Sequence, residues 1–320
     1  MVKRVPTAFA GDVQLWTTWL YHVENRTQSD IADELEVSRQ TVANYLGEAL
    51  ERGLVQVQVN KDILTRHSRA LALQNKFGLQ AVHIIPTPKS EYQLLERLGR
   101  AGGQVIHGLT SNGDTIGVAF GRTVLGIGTN MPESDQPKTR VVQVAGCSIG
   151  GSKTSPEICA SLIASKLSAQ CLNLFAPAYV STKELATSLL AEPSLLRHFK
   201  RFDDVNLLVF GIGELNPDTI FYTNEEYFMN DEMRDTYRSL GAVSVIFGRL
   251  IDKDGNEIDG PLRQKTLAIE LAAAKAAPIR LAVAGGSAKI QAVAATIRAG
   301  FATHFITDDK TAKRLLKDDI

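Results

Sequence analysis

"LAVAGGSAKIQAVAATIRAG", residues 281–300, decides how most of this chain is read. An apolar run stops at Gly285 and Gly286. A helical pattern starts at once, with Lys289 in its first turn. Strand, glycine turn, cation and helix in that order form a cradle for a phosphate. Glycine lets the backbone come close, and a helix N-terminus offers an anion N–H groups and a favourable dipole. Three more glycine turns follow apolar runs upstream: "GVAFGRTV" (117–124), "AGCSIGGSKT" (145–154) and "FGIGEL" (210–215). In the first, Gly121, Arg122 and Thr123 supply a turn, a cation and a hydroxyl. Gly286, Ser287 and Lys289 supply much the same. Ligands of an open parallel sheet sit beyond the carboxyl ends of its strands. Four such turns in register therefore point to a ligand site, gripping either one sugar phosphate or one phosphate from two sides.

Outward from this stretch the pattern is regular. Runs suited to strands are AVHII (81–85), DTIGVAF (114–120), RVVQVAG (140–146), VNLLVFGIG (205–213), AVSVIFG (242–248), IRLAVAGG (279–286) and THFIT (303–307). Helical patterns cover 90–109, 156–169, 182–202, 229–240, 262–276, 288–299 and 308–317. Apolar strands alternating with helices predict an α/β domain whose mostly parallel sheet is covered on both faces. Pro86, Thr87 and Pro88 break the chain after the first strand. No repeat or low-complexity segment is visible.

The first sixty residues read differently. "DVQLWTTWLYHVEN" (12–25) has apolar spacing near 3.6 through Val13, Leu15, Trp16, Trp19, Leu20 and Val23. Thr27 with Asp30 has the spacing of a capping box, and the helix it opens buries Ile31 and Leu35. Glu36, Val37 and Ser38 make a short turn. Ser38 caps another helix, which ends at Gly53. "LVQVQV" (54–59) alternates with period two and reads as a strand. Three helices, a tight turn between the second and third, and a following strand predict a winged helix-turn-helix. In the third helix Val42, Leu46, Ala49 and Leu50 define the buried stripe. Gln40, Asn44 and Gly47 lie opposite, with Thr41 on the flank. Gln and Asn pair bidentately with adenine, and Thr touches a thymine methyl. Ser38 and Arg39 suit phosphate. Tyr45 reaches either the nucleic-acid backbone or the wing. Thr27 and Gln28, opening the preceding helix, join this DNA-facing set.

Composition sets the limits. A chain of 320 residues favours two domains. The reading places a winged helix-turn-helix at 1–60, a linking helix at 61–78 and a ligand-binding domain at 79–320. Basic and acidic residues balance at 35 each, so DNA contact falls to a small specific module rather than a coating surface. Residues 1–60 hold five basic against eight acidic residues, which also opposes strong non-specific binding. Three cysteines with no disulfide or metal spacing suggest a reducing compartment. No signal peptide is read and no apolar run is long enough to span a bilayer, so the cytoplasm is the expected location.

Several motifs fall short. There is no GxxxxGK[ST], and "FGIGEL" lacks the third glycine of a dinucleotide fingerprint. "LIDKDGNEID" (250–259) opens like a calcium loop, but Arg263 stands where the bidentate Glu belongs. Asp254 and Gly255 read as a tight turn, while Asp252 is suited to accept hydrogen bonds from sugar hydroxyls. Glu225 and Glu226 read as a solvated loop. The six histidines show no ligand spacing, so no metal and no cofactor is expected. Cys147 reads as a small core residue, with pocket lining as the alternative.

With these residues in place, the whole chain resembles the SorC family of sugar-sensing bacterial transcription regulators. "QSDIADELEVSRQTVANYLGEALERGLVQVQV" resembles its helix-turn-helix. "TIGVAFGRTV", "LFAPAYV", "LLVFGIGEL", "GAVSVIFGRLIDKDGNEID" and "AVAGGSAKIQAVAATIRAGFATHFITDDKTAKRLL" follow its effector domain in order. The resemblance implies an effector domain of the sugar-phosphate isomerase and CoA transferase type. It also implies a phosphorylated sugar or polyol effector and tetramers built as dimers of dimers on operator DNA. The family's phosphate loop maps to Gly121, Arg122 and Thr123, and its terminal lysine to Lys289 after Gly285 and Gly286. Its polyol-binding acid maps to Asp252, and its second turn to Gly150 and Gly151 in the looser form "CSIGGSKT". The expected protein is a ligand-responsive regulator of carbohydrate catabolism genes and not an enzyme. The rival is a sugar-phosphate isomerase with an attached DNA-binding domain, using Asp252 or Glu214 as base. No His–carboxylate pair or acid–base couple stands out in the sequence to support it. A third reading makes the helix-turn-helix a protein-binding module.

Overall fold

The computed structural model describes residues 5–56, 61–147, 154–215 and 230–317. The chain divides into two compact units, Met1–Leu64 and Thr65–Ile320.

The first unit packs α1 (Val13–His22), α2 (Gln28–Leu35) and α3 (Arg39–Glu51) around Trp16, Leu20, Ile31, Leu35 and Val42. Each helix starts where a short polar side chain meets an orphan N–H. Asp12 accepts from Gln14 and Leu15, and Ser38 from Thr41. Thr27 and Asp30 form a reciprocal capping box. Between α2 and α3, Glu36 turns the chain with φ of 55°. Two parts of the expected apolar stripes differ. Leu50 is 51% exposed although its neighbour Ala49 is buried, so the buried stripe of α3 is narrower than expected at this end. Trp19 and Val23 are exposed too, and the Trp19 Nε1 donates to Glu24 at the rim. Residues 54–56 form no strand, and the rest of the expected wing lies outside the described residues.

α4 (Lys61–Phe77) follows, and from Thr65 the chain is counted with the second unit. Its sheet is fully parallel, with the strand order β1 (Ala81–Ile85), β9 (His304–Asp308), β8 (Ile279–Val283), β5 (Leu207–Gly211), β2 (Thr115–Val118), β3 (Arg140–Gln143), β4 (Gln170–Leu172). One face buries Leu98, Ile106, Val124, Ile127 and Ile163 beneath α5 (Glu91–Leu109), α6 (Arg122–Asn130) and α7 (Pro156–Lys166). The other buries Leu73, Phe210, Val293, Phe305 and Leu315. It is covered by α4, α11 (Leu271–Ala276), α12 (Ile290–Arg298) and α13 (Asp309–Leu315).

Four expectations are corrected. The run 242–248 does not join the sheet. It forms an antiparallel hairpin of β6 (Ser244–Ile246) and β7 (Arg249–Ile251), a two-stranded sheet of its own. The helix expected over 182–202 is α8 (Lys183–Ala191) and α9 (Pro193–Lys200), because Pro193 bars a continuous hydrogen-bond ladder. The helix expected over 262–276 reduces to a 3-10 turn at Arg263–Lys265 and α11. The helix after Gly286 opens with a 3-10 turn, Ser287–Lys289, before α12. α10 (Asp231–Ser239) agrees with its expected span to within two residues at each end. Among the described residues no helix is long and apolar enough to cross a membrane.

Candidate functional site

Of the three central strands, β5 and β8 end level and β2 ends two residues earlier. Val118 of β2 pairs with Val209 of β5, and Gly211 of β5 pairs with Val283 of β8. From β2 the chain moves outward to β3 and β4. From β5 it moves the opposite way, to β8 and β9. The crevice at such a reversal is where open α/β sheets bind ligands. A cavity lies there, lined by Gly121, Arg122 and Thr123 after β2, by Gly211 to Gly213 after β5, and by Lys289 after β8. Leu95 of α5 and Val245, Phe247 and Gly248 of the β6–β7 hairpin complete the wall.

Thr123 is 6% exposed, lines this cavity and makes no side-chain hydrogen bond among the described residues. Its oxygen is open to the cavity and not sealed in the core, so a water or a ligand can meet it. Lys289 donates from Nζ to the carbonyl of Ile212 at 2.9 Å. Burial pushes its pKa below the ordinary lysine value, Arg122 adds to the effect, and Glu214 and Glu91 oppose it. The Arg122 guanidinium lies 2.9 Å from the Glu91 carboxylate at the start of α5. Glu214 is raised, chiefly by burial, with Lys289 pulling it back down. Two cations and two anions thus share one electrostatic field at the cavity. The sequence offered the cations and Glu214 but not Glu91, which is about thirty residues from its partner.

Other expected effector residues are placed differently. Gly285 and Gly286 do not line the cavity. They sit over the buried carboxylate of Asp308, which accepts from the Gly286 N–H at 3.1 Å, the Thr311 hydroxyl at 2.5 Å and the Thr87 hydroxyl at 2.6 Å. A Cβ on Gly285 would lie 2.7 Å from the Asp308 Oδ1. The pair makes room for an internal anion, and the Gly286 N–H is taken. Asp252 is likewise apart from the cavity. Its carboxylate closes its own turn, accepting from the backbone N–H of Asp254 and Asn256 and from the Asn256 side chain. The following Gly255 packs on Ala299, at the end of α12 remote from Lys289. The tight turn read at Asp254 and Gly255 is what the structure contains. Gly150 and Gly151 lie outside the described residues, as do Glu225 and Glu226. Cys147 donates weakly to the Leu174 carbonyl and does not line the cavity.

The hairpin that walls the cavity is held from behind by Arg249, whose side chain is 2% exposed. It donates to the Ile269 and Ala268 carbonyls and pairs with Glu257 at 2.8 Å and Glu270 at 2.6 Å. Phe247, at the hairpin turn, has φ of 55°, a left-handed conformation that a bulky side chain adopts only under constraint. An apolar run ending in "FG" carried no signal of either role.

In the first unit Ser38, Arg39, Gln40, Asn44 and Gly47 are exposed along one side of α3, and Thr41 and Tyr45 are partly so. The Gln40 side chain donates to the Asn44 Oδ1 at 3.1 Å, which holds the two amides in one orientation. Arg39 makes no ion pair among the described residues, whereas Arg26 and Arg52 are paired with Glu34 and Asp12. Thr27 caps α2 and Gln28 is its first residue. Among the described residues no group of three or more His, Cys, Asp or Glu could hold a metal.

Comparison with known proteins supplies independent findings. Residues 61–317 match the family model Sugar-bind, described as "Putative sugar-binding domain", and residues 18–62 match MarR_2, of the MarR family. The chain is 33% identical to the Escherichia coli K12 protein YjhU, an uncharacterized transcriptional regulator, over 96% of this chain and 95% of that one. It is 26% identical to the sorbitol operon regulator of Klebsiella pneumoniae, over 93% and 95%. The crystal structure of full-length SorC from Klebsiella pneumoniae superposes with a TM-score of 0.76 at 24% identity, covering 95% of this chain and 98% of that one. That likeness shows a shared fold.

Proposed function

The chain belongs to the SorC family of sugar-sensing transcriptional regulators, and from that premise we propose how its parts divide the work. The cavity at the ends of β2, β5 and β8 binds a phosphorylated sugar or polyol, with Arg122, Thr123 and Lys289 around the phosphate. The observation that carries this is the convergence of Arg122, Thr123 and Lys289, from two different strand ends, on one cavity. The α3 face of Ser38, Arg39, Gln40, Thr41 and Asn44 reads an operator half-site, with Tyr45, Thr27 and Gln28 at its margin. Effector binding shifts the balance between oligomer arrangements of unequal operator affinity, as any ligand-driven change requires. The family resemblance supports a dimer of dimers in a bacterial cytoplasm.

The cavity acts as a sensor and not as a catalyst in this reading. One observation favours the enzyme rival: Glu214 and Lys289 are a carboxylate and an amine with pKa values displaced toward each other. The deciding experiment is a thermal-shift screen of the purified protein against sugar and polyol phosphates. Each stabilising compound is then assayed for turnover and retested on Lys289→Ala. A sensor returns its ligand unchanged. Losing a charge-assisted hydrogen bond weakens binding by about 10- to 100-fold, while DNA binding persists. A ligand consumed during the assay makes the isomerase reading primary. Full affinity in Lys289→Ala removes the phosphate from this cavity.

A further inference from the structure

The Arg122 guanidinium already has an anionic partner. Glu91 is the first residue of α5 and holds Arg122 at 2.9 Å. Its side chain is 67% exposed, so it can leave without crossing packed structure. The two helix starts that carry the pair do not shift freely. α5 and α6 are pressed together where Gly99 meets the backbone of Gly126. Exchange of partners on Arg122 is therefore a change of the Glu91 side chain and not a parting of helices.

We propose that Glu91 is a resident competitor for Arg122, which makes the cavity select for dianionic over monoanionic ligands. This rests on reading the cavity as a phosphate site. A ligand group must displace a carboxylate to reach the guanidinium. A sugar carboxylate offers Arg122 only what Glu91 already gives. A phosphate brings more charge and more acceptor oxygens, fitted to bidentate pairing. The pair is largely solvated, so displacing it weakens binding only a few-fold.

The test is calorimetric titration of the full chain with inorganic phosphate and, separately, with acetate. Wild type, Glu91→Gln, Glu91→Ala and Arg122→Ala are compared. The two Glu91 variants are expected to bind phosphate about two- to five-fold more tightly. They are also expected to bind acetate more tightly, narrowing the preference for phosphate. Arg122→Ala is expected to weaken phosphate binding. Unchanged or weaker phosphate binding in both Glu91 variants, with Arg122 still required in wild type, overturns the competitor and leaves the phosphate site standing. Phosphate binding that ignores Arg122, or no binding in any of the four proteins, overturns both.

Discussion

At the scale of single residues, Asp308 carries more than any glycine beside it. It is 1% exposed, and burial alone would raise its pKa. Hydrogen bonds from the side chains of Thr311 and Thr87 and the N–H groups of Gly286 and Thr311 outweigh burial and hold it below the usual carboxylate value. A pKa lower in the folded than in the unfolded state gives stability that is present above the unfolded value of about 3.9 and lost as pH falls through the folded one. Asp308→Asn should therefore cost about 1.5–3 kcal/mol at pH 7, the range for hydrogen bonds to a charged group. The cost should shrink below pH 4. Denaturant melts at pH 7 and pH 3 measure it, and an equal loss at both would show that charge is not involved. Asn44 is the counterpart in the first unit. If its amide pairs bidentately with a base, Asn44→Ala costs about 1–3 kcal/mol of operator discrimination, read by competition between cognate and scrambled duplexes. Lys289 and Arg122 were legible in the sequence because each follows a glycine turn that ends a strand. Glu91 and the Asp308 ring were not, since nothing in local spacing joins Thr87 to Asp308 or Glu91 to Arg122.

At the scale of elements, the least legible helix is the one that positions Arg122. α6 reads "RTVLGIGTN", and its two glycines weaken any helical pattern. The structure gives the reason they are there. Gly126 takes the Gly99 crossing, and a Cβ on Gly128 would lie 2.8 Å from the Leu162 side chain. Packing thus overrides propensity. The two effects can be set against each other at Gly99, inside α5. Alanine there gains up to about 1 kcal/mol of helix propensity. Its Cβ would stand 2.5 Å from the backbone of Gly126, which cannot rotate away. Overpacking of this kind costs about 1–3 kcal/mol or more. Gly99→Ala should therefore be destabilising on balance and should also weaken phosphate binding, because α6 carries Arg122. Thermal melts and phosphate titration check the pair of effects, and a net stabilisation would show that the crossing is slack. The β6–β7 hairpin escaped for a different reason. An apolar run of strand length does not say which sheet it joins, and the buried anchor, Arg249, looks like any surface arginine in sequence.

At the scale of the whole molecule, alternating strands and helices made the parallel sheet readable, and paired caps made the three-helix unit readable. The segment between them was harder to assign. α4 has the look of a connector, opening on Lys61 and Asp62 and leaving Ile63, Leu64 and Leu71 exposed. Yet Ala70 and Leu73 are buried in the same core as Leu315, Ala312 and Phe305. Its Arg69 pairs with Asp309 at the start of α13, and Lys76 donates to the Lys317 carbonyl just beyond that helix. From Thr65 onward the helix is part of the effector unit's core, whatever else it connects. Deleting a core leucine costs about 2–5 kcal/mol, and losing the whole helix removes Leu73 together with both polar ties. That reaches the lower end of a typical domain's entire stability, about 5–15 kcal/mol. A chain starting at residue 65 should therefore melt cooperatively and bind inorganic phosphate as the full protein does. One starting at residue 79 should unfold at much lower temperature or fail to fold. Calorimetry of the two chains with and without phosphate decides the matter. Equal stability of both would make residues 65–78 a linker laid on the surface, and would return the domain boundary to residue 79.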